Sequence, residues 1–209
     1  MTNPLHIALQ NGIEALGLVL STDKQRLLLE YLQLLKKWNT AYNLTAIGDP
    51  TQMVHRHLLD SLAIATWCVG DRLIDVGSGA GLPGIPLAIM FPEREIHLLD
   101  SNGKKTRFLF QVKTALSLAN ITVHNTRVEL HQPTMPFDVV LSRAFASLFD
   151  MVNVSRHLLG SQGRFLAMKG ANPRAEIEAV RSLCKVKAVR TLSVPNLNAQ
   201  RHLVELTLR

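Results

Sequence analysis

The stretch from Arg72 to Gly84, RLIDVGSGAGLPG, constrains the fold more than any other part of the chain. Leu73, Ile74 and Val76 make a short apolar run of the kind that is buried on both faces of a parallel sheet, and it opens into glycines at 77, 79, 81 and 84. Glycines so placed let a backbone turn approach a ligand where a Cβ would stand in the way. A strand that ends in such a turn builds a nucleotide pocket at the carboxyl edge of an α/β sheet.

Two acidic residues refine the ligand. Asp75 lies two residues before the first glycine, where a carboxylate works against phosphate binding by backbone N–H groups. It suits a cationic ligand end, such as the amino group of S-adenosylmethionine. A second strand, Glu95 to Leu99, ends at Asp100, roughly 20 residues after the glycines, where an acid hydrogen-bonds ribose hydroxyls in this architecture. Gly79, Gly81 and Gly84 also satisfy a G-x-G-x-x-G spacing, so a nicotinamide-dependent dehydrogenase is a distant alternative, and Asp75 argues against it.

Strands and helices alternate from Arg72 onward. Strands are expected at Leu73–Val76, Ile96–Leu99, Ile121–His124, Val139–Leu141 and Arg164–Met168, with helices near Pro86–Phe91, Lys104–Leu118, Leu148–Leu159 and Arg174–Leu183. Val186–Val194 and Leu203–Leu208 are joined by a link too short for a crossover helix, which predicts an antiparallel hairpin at the end of the sheet. Seven strands, mostly parallel, with the glycines after the first, match a class I S-adenosylmethionine-dependent methyltransferase (Rossmann-like, α/β) better than a dehydrogenase. Residues 1–68 read as an N-terminal helical extension and 69–209 as the methyltransferase domain, packed as a single globular unit. Thr22 and Gln25 read as a capping-box pair ahead of Leu28, Tyr31, Leu32, Leu35 and Trp38, and Asp49-Pro50 starts a further helix, with Asn39 to Ile47 as the connecting loop.

Lys and Arg outnumber Asp and Glu by 23 to 16, a net charge of +7, which favours a polyanionic partner such as nucleic acid over a bare solubility role. Cys68 and Cys184, without a secretory leader pattern, fit unpaired thiols in a reducing compartment. No apolar stretch approaches the roughly 20 residues needed to span a bilayer. A soluble, cytoplasmic monomer is expected.

The residues at the strand ends are the ones to inspect. Val128 and Glu129 flank an adenine, or belong to an ordinary loop. After the fourth strand, Ser142-Arg143-Ala144-Phe145-Ala146 holds neither an Asn/Asp-Pro-Pro-aromatic loop for base amines nor a cysteine nucleophile for pyrimidine carbons. The acceptor should therefore carry its own lone pair, as guanine N7 does, and catalysis reduces to alignment, worth roughly 7–11 kcal/mol. Arg143 orients the base or the methionine carboxylate, or else pairs with a neighbouring helix. Arg127, Arg143, Lys169 and Arg201 gather on one rim able to grip phosphates, and Lys36, Lys37, Arg56, Lys104, Lys105 and Arg107 widen the footprint or are solvated helix charges. His55 and His57, two apart on a helix, face different ways, so no metal site is expected.

Lys37-Trp38-Asn39, Tyr42-Asn43-Leu44-Thr45, Arg56-His57, Leu59-Asp60-Ser61, the loop from Asp75 to Pro86, Leu99-Asp100-Ser101, Lys104, Arg107-Phe108-Leu109, Ser142 to Ala146, Lys169-Gly170 and Arg201-His202-Leu203 together closely resemble the bacterial small-subunit ribosomal RNA methyltransferase G family, also called glucose-inhibited division protein B. The likeness runs from about Leu27 to Leu206, although Ser78 and Ala80 stand where relatives often have Thr and Pro. The resemblance implies N7-methylation of one guanine in the 530 loop of 16S ribosomal RNA, with S-adenosylmethionine as donor and S-adenosylhomocysteine as product. By position it implies that Gly77, Leu82, Val128, Glu129 and Arg143 contact the cofactor, beside Asp75, Gly79 and Asp100 from the pattern, and that Arg127, Lys169 and Arg201 face 16S RNA or the small ribosomal subunit. The rival of another class is an RNA-binding assembly factor that holds the cofactor or its product without turnover.

Overall fold

Buried apolar strands have to be covered on both faces, and here the covering helices come from both halves of the chain. The computed structural model describes residues 3–143, 145 and 147–209. Helices α1 (Pro4–Ala15), α2 (Thr22–Tyr42), α3 (Pro50–Met53) and α4 (Asp60–Leu62) come first, with a π-helical turn, Val54–Leu59, between the last two. Then follow β1 (Arg72–Val76), α5 (Gly84–Met90), β2 (Glu95–Asp100), α6 (Gly103–Ala115), β3 (Ile121–Asn125) and β4 (Phe137–Ser142). The chain continues through α7 (Leu148–Ser155), β5 (Leu159–Lys169), α8 (Arg174–Val180), β6 (Cys184–Thr191) and β7 (His202–Leu208).

The strand order is β3-β2-β1-β4-β5-β7-β6. The pairs from β3 through β5 are parallel, while β7 is antiparallel to both β5 and β6. The expected hairpin therefore forms, but it folds back on the sheet: β7 lies inside and β6 becomes the edge. The order reverses between β1 and β4, which opens a crevice beyond their carboxyl ends. Ser142 Oγ donates to the Val76 carbonyl at 3.0 Å and ties those two ends together.

Strand side chains divide between two apolar clusters by the period of two. Leu73, Ile96 and Leu98 pack with Ile85, Phe108 and Val112 of α5 and α6, and the same cluster continues into Leu9, Leu28, Tyr31 and Leu35 of α1 and α2. Ile74, Val76 and Val140 pack on the other face with Leu148, Met151 and Val180 of α7 and α8. Between β3 and β4 there is a single 3₁₀ turn, Val128–Leu130, in place of a crossover helix. On that side the stacked His97 and His124 rings, 5.1 Å apart, lie over the sheet, with the edge of Phe137 against His97. Burial pushes both imidazoles down to about 4, so they are neutral at pH 7.

Local boundaries depart from the pattern in three places. Ser21, not Thr22, caps α2, its side chain accepting from Lys24 N, and Gln25 donates to the Leu20 carbonyl instead of closing a capping box. The helix also runs on through Asn39 to Tyr42 before Asn43 turns left-handed at φ 50°, so the connecting loop is shorter than expected. Helix α7 stops at Ser155 because a 3₁₀ turn, Arg156–Leu158, leads into a longer β5. Asp49 caps α3 as the spacing predicts, accepting from Gln52 N at 2.8 Å. Cys68 and Cys184 are both buried and free. Among the described residues no helix is long and apolar enough to cross a membrane.

One polar bond joins α2 to the glycine loop: the buried Tyr31 hydroxyl donates to the Ala80 carbonyl at 2.7 Å. Tyr31→Phe keeps the ring and leaves that carbonyl without its donor. The expected cost is about 1–2 kcal/mol, read as a lower urea midpoint at unchanged m-value.

Candidate functional site

The loop after β1 is shaped by hydrogen bonds that converge on its backbone. Gly77 and Ser78 N–H both donate to the Leu99 carbonyl, at 2.8 and 3.1 Å. Asp100 Oδ2 accepts from Gly79 N at 2.9 Å, while its Oδ1 accepts from Asn102 N at 2.8 Å. Asp75, wholly buried beneath the loop, accepts from Gly84 N through Oδ2 at 2.9 Å, and its Oδ1 has no partner. Burial, more than any neighbouring charge, raises the Asp75 carboxyl to about 7.

The glycines divide the work. Gly79 adopts φ +58° and has open space where a Cβ would sit, with only the Gly77 carbonyl nearby at 3.9 Å. At Gly84 a Cβ would come within 2.2 Å of Leu98 and 2.9 Å of Asp75 Oδ2, so the helix can approach the strand only without a side chain there. The first two glycines thus face the pocket, and the later ones pack the loop on the protein itself.

Three hollows line up along the strand ends and share walls. The first, about 200 Å³, is bounded by Gly77, Asp100, Arg127, Val128, Glu129 and Phe145. A second, about 150 Å³, takes in Gly77, Gly79, Leu82, Lys105, His57 and Arg143. The third, about 350 Å³, is lined by Arg56, His57, Asp60, Arg143, Lys169 and Arg201. Gly77 belongs to the first two, while His57 and Arg143 belong to the last two.

The sequence-derived site residues therefore come together in part. Gly77, Asp100, Val128 and Glu129 surround the first hollow, and Gly79, Leu82 and Arg143 the second; Asp75 lies under them. Lys169 and Arg201 line the third, but Arg127 is at the first, so the four cations do not share one rim. Lys169 Nζ is engaged by Glu176 at 2.7 Å and by the Phe145 carbonyl at 3.1 Å, which ties the segment after β4 to α8. Ala144 and Ala146 of that segment lie outside the described residues.

Sequence reasoning missed Asp60. This carboxylate is 2% exposed, and it accepts from Arg201 Nε at 2.8 Å and from Arg143 Nη1 at 3.4 Å, joining three segments distant in the chain. The available signal was an acid flanked by Leu58, Leu59 and Leu62, alone between Asp49 and Asp71. His57, for which the sequence pattern offers only a metal-ligand role to reject, also belongs here. It accepts from or donates to Thr45 Oγ1 at 2.9 Å, and burial together with the Arg143 charge pushes its imidazole down to about 4. Its place in the π-helical turn brings it to the wall between two hollows, and such turns recur at functional sites. Among the described residues no group of three or more His, Cys, Asp or Glu is placed to hold a metal.

Comparison with known proteins follows the same geometry. Residues 24–204 match the family described as GidB, rRNA small subunit methyltransferase G. The chain belongs to that family. It is 56% identical over 199 residues to the ribosomal RNA small subunit methyltransferase G of Pseudomonas aeruginosa (strain LESB58), covering 95% of this chain and 93% of the relative. Against the protein of the same name from Alteromonas mediterranea the identity is 52% over 202 residues, with 97% and 96% covered. Among solved structures, the glycopeptide N-methyltransferase MtfA complexed with S-adenosylhomocysteine superposes with a TM-score of 0.62 at 12% identity, covering 73% of this chain and 90% of that one. Magnesium protoporphyrin IX methyltransferase from Synechocystis PCC 6803 gives 0.60 at 13% identity, with 86% and 97% covered. Likeness at such low identity speaks for the shared class I methyltransferase fold.

Asp60→Asn keeps the shape of the family member's triad and removes its charge. The partners are only partly shielded, Arg143 being 29% and Arg201 24% exposed at the side chain, so the expected loss of stability is about 1–3 kcal/mol, measured by urea unfolding. An unchanged midpoint would leave the Asp60 pairs without energetic weight.

Proposed function

We propose that this protein transfers a methyl group from S-adenosylmethionine to N7 of a guanine in the 530 loop of 16S ribosomal RNA, in the cytoplasm. The observation that carries the reading is the row of three adjoining hollows with Arg143 and His57 at the seam between the second and third. Small-subunit ribosomal RNA as the substrate is supported by the names of relatives at 52–56% identity over nearly the whole chain. The excess of seven positive charges agrees with it.

The residues fit the donor. Asp75 Oδ1 is a buried acceptor without a partner beside the second hollow's loop, suited to an ammonium group. Asp100, whose two oxygens each accept one backbone bond, retains lone pairs for ribose hydroxyls at the first hollow, where Val128 and Glu129 flank the adenine. Gly77, Gly79 and Leu82 wall the methionine portion. When bound, S-adenosylmethionine supplies an electrophilic methyl on a sulfonium centre.

The chemistry of the seam suits an acceptor that needs no deprotonation. His57, held near 4, is a weak base at pH 7, and Asp60 is committed to two guanidinium groups. Guanine N7 presents its lone pair directly, so what the protein has to supply is alignment. Arg143, fixed by Asp60 and the Arg56 carbonyl, orients the guanine at the seam, and Lys169 and Arg201 line the RNA side. Arg127, at the first hollow, meets RNA or the nucleoside end of the donor.

Mass spectrometric mapping of 16S RNA from cells with and without the gene tests the reaction. Loss of one 7-methylguanosine in the 530 loop is expected, restored by the parent gene; restoration by Arg143→Ala at the parental rate would remove Arg143 from the site. Calorimetric binding of the donor without transfer to undermethylated subunits would favour a non-catalytic assembly factor.

A pH dependence follows from Asp75. Below about pH 7 its carboxyl is protonated in the free protein, so seating an ammonium beside it must release that proton. Donor affinity is therefore expected to fall as pH drops from 7 to 5, approaching about tenfold per unit, with a plateau above 7. In Asp75→Asn the profile over that range flattens, and a flat parental profile would remove Asp75 from the ammonium site.

A further inference from the structure

The outer surface of the α2–α6 pair carries unpaired positive charge at the end nearest the donor site. Tyr31 and Trp38 of α2 both pack on Phe108 of α6, at ring separations of 6.3 and 5.8 Å. Helix α2 starts beside the Met90 carbonyl, held there by Lys24 Nζ at 2.6 Å, and rises past Ala80 toward the strand ends, whereas α6 descends from them, so the pair is antiparallel. In that arrangement Lys37, one residue before Trp38, and Lys104 and Arg107, four and one before Phe108, lie near the upper ends of the two helices, turned about the helix axes away from the ring contacts. All three are exposed.

Along both segments the charge has one sign. Neither Tyr31–Gly48 nor Ser101–Val128 contains an Asp or Glu. Among the described residues Lys37, Lys104 and Arg107 have no carboxylate within 4.0 Å, whereas Arg26, Arg72, Arg94 and Arg190 each have one. Lys105, in the same turn of α6, lines the second hollow and pairs with Asp100 Oδ2 at 3.8 Å, so this end of α6 adjoins the donor site. At the upper end of α2, Tyr42 stacks on Trp38 with ring centroids 5.1 Å apart and planes 22° apart, both partly accessible. Cations that lack protein partners beside an accessible aromatic pair are what an RNA strand requires: charge for phosphates and a ring face for a base.

We propose that the upper, outer surface of the α2–α6 pair is a second RNA-binding surface, separate from the hollow at Arg143, Lys169 and Arg201. Lys37, Lys104 and Arg107 hold phosphates of the RNA flanking the target nucleotide, and the Trp38–Tyr42 stack receives an unpaired base. The proposal rests on small-subunit ribosomal RNA as the substrate.

The test is equilibrium binding to undermethylated small-subunit ribosomal RNA over a series of salt concentrations. Compared are the parent, Lys37→Gln/Lys104→Gln/Arg107→Gln, and Lys185→Gln/Lys187→Gln on β6 as a control for positive charge removed elsewhere. Each phosphate contact contributes about 0.7–0.9 to the slope of log affinity against log salt, so the triple variant is expected to bind with a slope shallower by about 2. Its affinity at low salt should fall about tenfold or more, with donor binding and circular dichroism unchanged. The control is expected to keep the parental slope, and Tyr42→Ala to weaken binding without changing it. A parental slope in the triple variant overturns the proposal, as does an equal change in the control. If the triple variant does not fold, ultraviolet cross-linking of the parent decides: RNA adducts on the α2 and α6 peptides support the surface, and adducts confined to other segments overturn it. A parent that binds RNA without methylating guanine refutes the reaction proposed above and leaves this measurement intact.

Discussion

The glycine loop cannot hold its own shape, and the rest of the site depends on the hydrogen bonds that hold it from outside. Asp75 fixes its far end at Gly84, Asp100 its middle at Gly79, the Leu99 carbonyl its beginning, and Tyr31 reaches across from α2 to Ala80. Glycine gains access to left-handed backbone at the expense of rigidity, so a turn rich in it is ordered only where its neighbours order it. Two of those neighbours are carboxylates. Each Asp100 oxygen accepts one backbone bond, but Asp75 is buried with one oxygen unpartnered, a costly arrangement that a cationic ligand would relieve.

A similar dependence joins the two parts of the chain. Asp60, from the segment before β1, sits between Arg143 from the end of β4 and Arg201 from the approach to β7. The arginines at the third hollow are thus placed by a residue of the helical N-terminal region. That region also supplies His57 to the seam and Tyr31 to the loop, so it is a structural part of the site in addition to covering the sheet.

Much of this was legible in the sequence because the signals are local. A strand, an acid and four glycines identify the loop, and an acid at the next strand end falls where its partner must be, since the connection between neighbouring parallel strands has a nearly constant length. Side-chain period and turn chemistry placed all seven strands, and the short Pro195–Arg201 link gave the antiparallel pair. What was not legible depends on contacts made across the fold. Asp60 looks like a misplaced charge on an apolar helix until the two arginines are brought to it. Lys169 looks like a free cation until α8 delivers Glu176. Arg127 could not be told apart from the other strand-end cations, because no pattern along the chain states which hollow a side chain enters. The precise caps at Ser21 and the end of α2 turn on one or two residues, where competing hydrogen bonds differ little in energy.

The position of β7 has a consequence for how the protein is made. Because β7 follows β6 in the chain yet lies between it and β5, neither of those strands has its native partner on that side until residues 202–208 have left the ribosome. Until then the flank of β5 is an open backbone edge, able to pair with another extended chain. The sheet therefore closes only when that one segment enters between β5 and β6.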